Sequence, residues 1–162
     1  MAYEQIYQIT TKPLSVDEFI TEHDFIDDTV FIENISDGVS DKDIDRNEEI
    51  RYFREWLTEK EVALFNDDDS FFIMPGGKEK YFETAYTKFL EAVKKATDIT
   101  FKEFAGGTDC AELVRQISVN FCEKFGPYVS SDEFNTIPFD KFIREAEIGK
   151  RYYINGILHY HW

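Results

Sequence analysis

The chain has 162 residues, 33 Asp/Glu against 18 Lys/Arg, a formal net charge of −15, and 43% hydrophobic and 17% aromatic residues, 16 of them Phe. That much core material excludes a disordered acidic tail, and a chain of this length buries roughly 70% of its unfolded surface in one domain without disulfides or metal. Apolar runs such as Phe71-Phe72-Ile73-Met74 fall far short of the ~18–20 residues that span a bilayer, there is no CxxC pair, and the first residues lack the pattern of a secretory signal; a cytoplasmic protein with reduced thiols and no membrane partner is expected.

Tyr3 to Thr10 alternates β-formers and predicts a strand, ended by Pro13. Ser15 and Glu18 have capping-box spacing and open a short helix. Thr29 to Ile35 reads as a strand before a Ser36-Asp37-Gly38 turn, and Asp41 to Leu57 as a helix with Ile50, Phe53, Trp56 and Leu57 inward. Val62 to Phe65 and Phe71 to Met74 read as a hairpin around Asn66-Asp67-Asp68-Asp69-Ser70. After Pro75-Gly76-Gly77, the segment Lys78 to Ala96 carries Tyr81, Phe82, Ala85, Tyr86, Phe89, Leu90, Val93 and Ala96 at helical spacing and is expected to be a core helix. Ile99 to Phe104 alternates as a short strand. Beyond Gly106-Gly107, Thr108 or Asp109 caps a helix to about Lys124 that buries Leu113, Val114, Ile117 and Phe121, stopped by Gly126-Pro127. Pro138 opens a short helix to Ala146 with Phe139, Phe142 and Ile143 inward. Asn155-Gly156, between Arg151–Ile154 and Ile157–Trp162, supplies the two residues of a type I′ turn, so a C-terminal hairpin is expected. The class is α+β: one domain over residues 1–162, with antiparallel strands and that hairpin packed against two or three longer amphipathic helices.

Motifs that carry chemistry are weak. Asp41, Asp43, Asp45, Asn47 and Glu49 alternate like calcium-loop ligands, but the position that needs Gly is Arg46 and the one that needs a bidentate Glu is Tyr52, so a solvated helix start is expected. The Asp67-Asp68-Asp69 run is expected to be a turn. His159 and His161 share a strand face and are the weak metal candidates; zinc there needs a third ligand from His23, Cys110, Cys122 or a carboxylate. Both Cys lie in an expected helix, where a packed thiol is ordinary, and no GxSxG elbow is present. Pro75-Gly76-Gly77-Lys78 and Gly106-Gly107 lack phosphate-loop spacing. No cofactor, metal or catalytic residue is expected.

Charge placement is the strongest functional signal. Residues 1–74 hold 20 Asp/Glu and 6 Lys/Arg, whereas residues 75–162 hold 13 and 12. The balance disfavours direct nucleic-acid binding and fits a basic protein surface, such as that of a nucleic-acid-binding protein, docking on Asp41, Asp43, Asp45, Glu48, Glu49, Asp67, Asp68 and Asp69. Duplex DNA shows one charge per ~1.7 Å of axis, so 20 carboxylates on one face match roughly 34 Å of duplex, against a molecule about 40 Å across. In size and acidity the chain looks like the antirestriction and other DNA-mimic inhibitors, but no segment matches a family motif and no family is recognised; the leading expectation is a non-catalytic interaction protein. The competing expectations are a small-ligand binder or metal-dependent enzyme using the HxH strand, and an acidic domain whose charge only maintains solubility.

Overall fold

A computed structural model describes residues 3–25, 29–106, 109–131 and 135–162. In chain order the elements are β1 (Tyr3–Thr10), α1 (Thr29–Asn34), β2 (Gly38–Ser40), α2 (Arg46–Glu59), β3 (Ala63–Phe65), β4 (Ser70–Ile73), α3 (Gly77–Thr97), α4 (Phe101–Ala105), α5 (Cys110–Phe121), β5 (Tyr128–Ser130), β6 (Thr136–Pro138), α6 (Phe139–Glu145) and β7 (Tyr152–His161), with single 3-10 turns at Val16–Glu18 and Glu22–Phe25. The fold is mixed α+β. Its strands form one sheet in the order β3-β4-β7-β1-β5-β6, and β2 also pairs with β7. All pairs are antiparallel except β1 with β5, so the expected antiparallel set is one pair short.

The period-2 alternation of the central strands sends side chains to two separate cores. On one face Tyr7, Ile9, Val129, Ile154 and Ile157 meet Ile50, Phe53 and Leu57 of α2 and Phe139, Phe142 and Ile143 of α6. On the other, Ile6, Tyr128, Leu158 and Tyr160 meet Ile20, Phe25 and Phe31. The capping-box residues hold the chain's entry to that second core, the Glu18 carboxylate accepting from both the Ser15 backbone N–H at 3.0 Å and its hydroxyl at 2.6 Å.

The expected C-terminal hairpin does not form. Residues 152–161 run as one strand, β7, with β1 along one edge and β4 and β2 along the other. Asn155-Gly156 is the site of a register shift: Tyr7 pairs with Ile157 but Ile9 with Ile154, so Gln8 alone opposes two residues, the geometry of a β-bulge. Gly156 does not take positive φ, which a type I′ turn demands. The bulge is held by buried polar bonds. The Gln8 Oε1 accepts from the Gly156 and Ile20 N–H groups, both at 3.0 Å, while the Asn155 amide donates to Thr10 Oγ1 at 2.7 Å and its oxygen accepts from Leu14 N–H at 3.0 Å. A Cβ on Gly156 would sit 2.9 Å from the Ile20 nitrogen, so close approach, not a turn, requires glycine here. Long-range pairing has overridden a local turn signal.

Two more expected strands are helices. Phe31, Ile32 and Ile35 all join the second core, which helical spacing allows and a strand's alternation would not. The segment Ile99 to Phe104 contains α4, where Thr100 and Glu103 complete a capping box that outweighs the apparent alternation. The helix expected from Asp41 begins at Arg46, because the Asp45 carboxylate accepts from the Asn47 and Glu48 N–H groups and so fixes the first turn. The hairpin of β3 and β4 and the helix α6 lie where the sequence places them. Gly107 and Thr108 lie outside the described residues.

The expected core helix, α3, is not a core helix. Only Gly77 and Ala92 of its 21 residues are buried. Its first turns are fastened to the body: Gly77 abuts the Val62 carbonyl, Tyr81 donates to Asp140 Oδ1 at 2.7 Å, and Lys78 Nζ donates to the Arg144 carbonyl at 2.7 Å. Beyond that root it packs mainly on α5, which has no other substantial partner and no buried residue. Val114 and Phe121, expected to be buried, are 65% and 57% exposed. Residues 77–106 and 109–121 therefore form a helical arm on a sheet-and-helix body.

Candidate functional site

The expected docking acids are mostly open to water. Asp41, Asp43, Asp45, Glu48, Asp67 and Asp68 are exposed and Glu49 and Asp69 half-buried. Asp41 and Asp43 lie in the loop before α2, Asp45 caps it, and Glu48 and Glu49 occupy its first turn, where carboxylates favour the helix dipole. The Asp67–Asp69 turn is brought to this end of α2 by Arg46, which bonds Asp69 Oδ2 at 3.1 Å and, across the sheet, the Asn155 and Ile154 carbonyls at 2.6 and 2.8 Å. Asp68 is tied to Arg151 at 2.9 Å, and a hydrogen bond from the Ser70 hydroxyl, aided by Arg151, holds its carboxyl below the usual range. Among the described residues Asp68 is thus the one member of the set paired with a Lys or Arg of the second half, while Glu49 meets His159; Asp69 and Glu48 pair within the first half, with Arg46 and Arg51.

Sequence reasoning missed a cleft of about 470 Å³ beside these acids, between β1 and α2. Tyr3, Tyr7, Tyr52, Phe53 and Trp56 wall it together with Gln5 and Pro127, and Glu4 and Glu49 bring the charge; no Lys or Arg lines it. The i, i+3, i+4 and i+7 spacing of Glu49, Tyr52, Phe53 and Trp56 puts all four on one side of α2, and the alternation of Tyr3, Gln5 and Tyr7 turns them towards it. That combination is readable in the sequence once the β1–α2 contact is known. Burial pushes the Glu4 carboxyl above its ordinary value, and Glu49 and Glu123 push it further, against a hydrogen bond from the Gln5 backbone N–H. Burial likewise raises the Tyr7 phenol, with Glu49 and Glu4 adding to the rise. The Glu49 charge thus adds to burial in disfavouring the ionised form of Glu4. The rings nearby already attract cations: Arg51 lies 4.8 Å from the Tyr52 ring centre, and Lys60 5.7 Å from that of Trp56.

His159 and His161 do face one side of β7, but they do not converge with a third ligand. His159 Nε2 lies 3.2 Å from Glu49 Oε1, and since an ionised carboxylate only accepts, that nitrogen carries the proton. Its ring packs at 4.8 Å on Tyr3, so the histidine supports the cleft wall. His161 Nδ1 is buried without a hydrogen-bond partner. Among the described residues no group of three His, Cys, Asp or Glu is placed to hold a metal. Cys110 and Cys122 are free thiols at the two ends of α5, and burial raises that of Cys122. No helix among the described residues is long and apolar enough to cross a membrane.

Comparison with models of known families, with curated proteins and with solved structures finds no match. The function must be argued from the geometry alone.

Proposed function

We propose that this is a non-catalytic interaction protein that docks a basic protein surface, in the manner of a DNA-mimic or inhibitor-type protein engaging a nucleic-acid-binding partner. The observation that carries the reading is an aromatic cleft whose lining includes Glu4 and Glu49 and no Lys or Arg. An Arg or Lys side chain of the partner entering there meets the cleft's negative charge and lies against the faces of Tyr3, Tyr52 or Trp56. The exposed carboxylates at Asp41, Asp43, Asp45, Glu48, Asp67 and Asp68 supply the longer-range attraction, effective over about 8 Å at physiological ionic strength. A role in solubility alone accounts for the exposed acids but not for a cleft lined by five aromatic rings and two glutamates with no Lys or Arg.

The test is calorimetric titration of the protein with an arginine-rich peptide at low and high salt. Binding is expected to weaken as salt rises, and Glu4→Gln with Glu49→Gln to lower affinity at least roughly tenfold, because both remove cleft charge. Affinity that is indifferent to salt, or unchanged in the double variant, overturns the proposal.

A further inference from the structure

We propose that the helical arm is a self-association surface, on which a second copy of this chain closes to form a two-fold dimer. The apolar stripe of α3 is too wide for the single helix that covers it. Ala85, Phe89, Ala92, Val93 and Ala96 are at least partly covered, whereas Tyr86 and Leu90, one and two turns beyond Phe82, remain exposed. Arg144 lies 4.1 Å from the Phe82 ring centre and 4.4 Å from that of Phe121, which sets the Phe82, Tyr86, Leu90 row of α3 beside the Phe121, Val114 row of α5. At the far end Phe101 is 87% and Phe104 66% exposed, and they border a groove of about 350 Å³ with Ala96, Ile99, Leu113 and Val114.

Charge selects the occupant. Residues 77–121 hold 7 Lys/Arg and 7 Asp/Glu, so the whole −15 resides outside the arm. A second copy is as acidic as the first, and contact between two bodies sets like charges against each other; contact between two arms does not. The basic partner proposed for the cleft gains no electrostatic advantage here. The four exposed aromatics of the arm, at ~150–250 Å² per side chain and 57% to 87% exposed, offer roughly 500 Å². With Leu90, Val114 and the flanking stems this approaches the ~800 Å² per partner of a standard stable interface. Two helical hairpins laid face to face about a two-fold axis make a four-helix layer, an arrangement that buries such rows on both partners.

Sedimentation equilibrium of the full chain, across a range of concentrations at low and high salt, decides the matter. The expected species has twice the 19.1 kDa chain mass, and its association strengthens as salt rises, because screening relieves repulsion between the bodies. That sign is opposite to the one expected for a basic ligand in the cleft, so the two proposals fail separately. Phe101→Asp with Phe104→Asp, both at exposed positions, is expected to weaken dimerisation at least roughly tenfold while the circular dichroism spectrum stays that of the wild type. A second double variant, Tyr86→Glu with Leu90→Glu, guards against a local effect on α4. A wild-type chain that stays monomeric at every concentration and salt, or two variants that dimerise as well as wild type, overturns the proposal; so does an arm that binds only a foreign amphipathic helix.

Discussion

The body and the arm use the same apolar periodicity and end in opposite states. In the body, Phe53 is 1% exposed and its ring contacts those of Tyr7, Trp56, Phe65, Phe71 and Phe139, contributed by α2 itself and by four other elements. In the arm, α3 has nine large or small apolar residues, yet its distal half packs mainly on one neighbour. The width of the stripe is what separates them. A helix that lies on a sheet, like α2, needs one apolar face, whereas a stripe that spreads from Phe82 through Tyr86 to Leu90 as well as over Ala85, Phe89 and Ala92 needs partners on two sides. Net charge marks the same boundary, since the arm is balanced and the body is not.

The largest expected effect sharpens that contrast. Phe53→Ala should destabilise the chain by about 3–5 kcal/mol in urea unfolding, through lost burial and the cavity left behind. Phe101→Ala, at a position of high exposure, should stay within about 0.5 kcal/mol at concentrations where the chain is monomeric. Comparable losses at both positions would erase the distinction between body and arm.

Next in size is the bulge that replaces the expected hairpin. Asn155→Ala leaves Thr10 Oγ1 and the Leu14 N–H without their buried partner and should cost about 1–3 kcal/mol, again by urea unfolding. If Asn155-Gly156 merely formed an exposed turn, the change would be near zero. The sequence was legible where local and long-range preferences agreed: β1 alternates and is a strand, Phe139, Phe142 and Ile143 point inward from α6, and the acid-rich turn joins β3 and β4. It misled where they conflicted. Asn-Gly is a strong hairpin signal, but a β7 paired with β1 along its length and with β4 and β2 at its two ends gains more than two short strands would. Alternation at Thr29–Ile35 and Ile99–Phe104 gave way to core contacts in one case and a capping box in the other. Of the candidate site, the exposed acids were visible because charged groups without partners stay at the surface. The cleft was not, because Glu4 and Glu49 are 45 positions apart and meet only once β1 packs on α2.

A smaller effect is expected at the arm's root. Arg144 is stacked between Phe82 and Phe121 and donates to the Phe121 carbonyl, so Arg144→Ala removes the clamp between α3, α5 and α6. The loss should be about 1–2 kcal/mol locally. Amide exchange is expected to quicken across residues 84–121 and to stay unchanged in β1, β7 and α2. Equal quickening throughout would mean that arm and body unfold as one unit.

The smallest effect concerns Glu4, and its sign separates a binding role from a structural one. Its folded-state pKa is raised above 4.5, by burial first and by Glu49 and Glu123 after it. The folded protein therefore holds this proton more tightly than the unfolded chain does. The resulting stabilisation is full below the unfolded value and is lost as pH rises through the folded value, so at neutral pH the ionised carboxylate works against folding. Glu4→Gln should then raise the melting temperature at pH 7, by only about 1–2 °C because the group is half open to water, and the gain should vanish below pH 4. The same substitution should weaken binding of the arginine-rich peptide, which needs the ionised form. A carboxylate that costs stability yet improves binding is what a cation-receiving cleft requires. Should Glu4→Gln instead lower the melting temperature at pH 7, Glu4 is already paired within the chain and adds no free charge to the cleft.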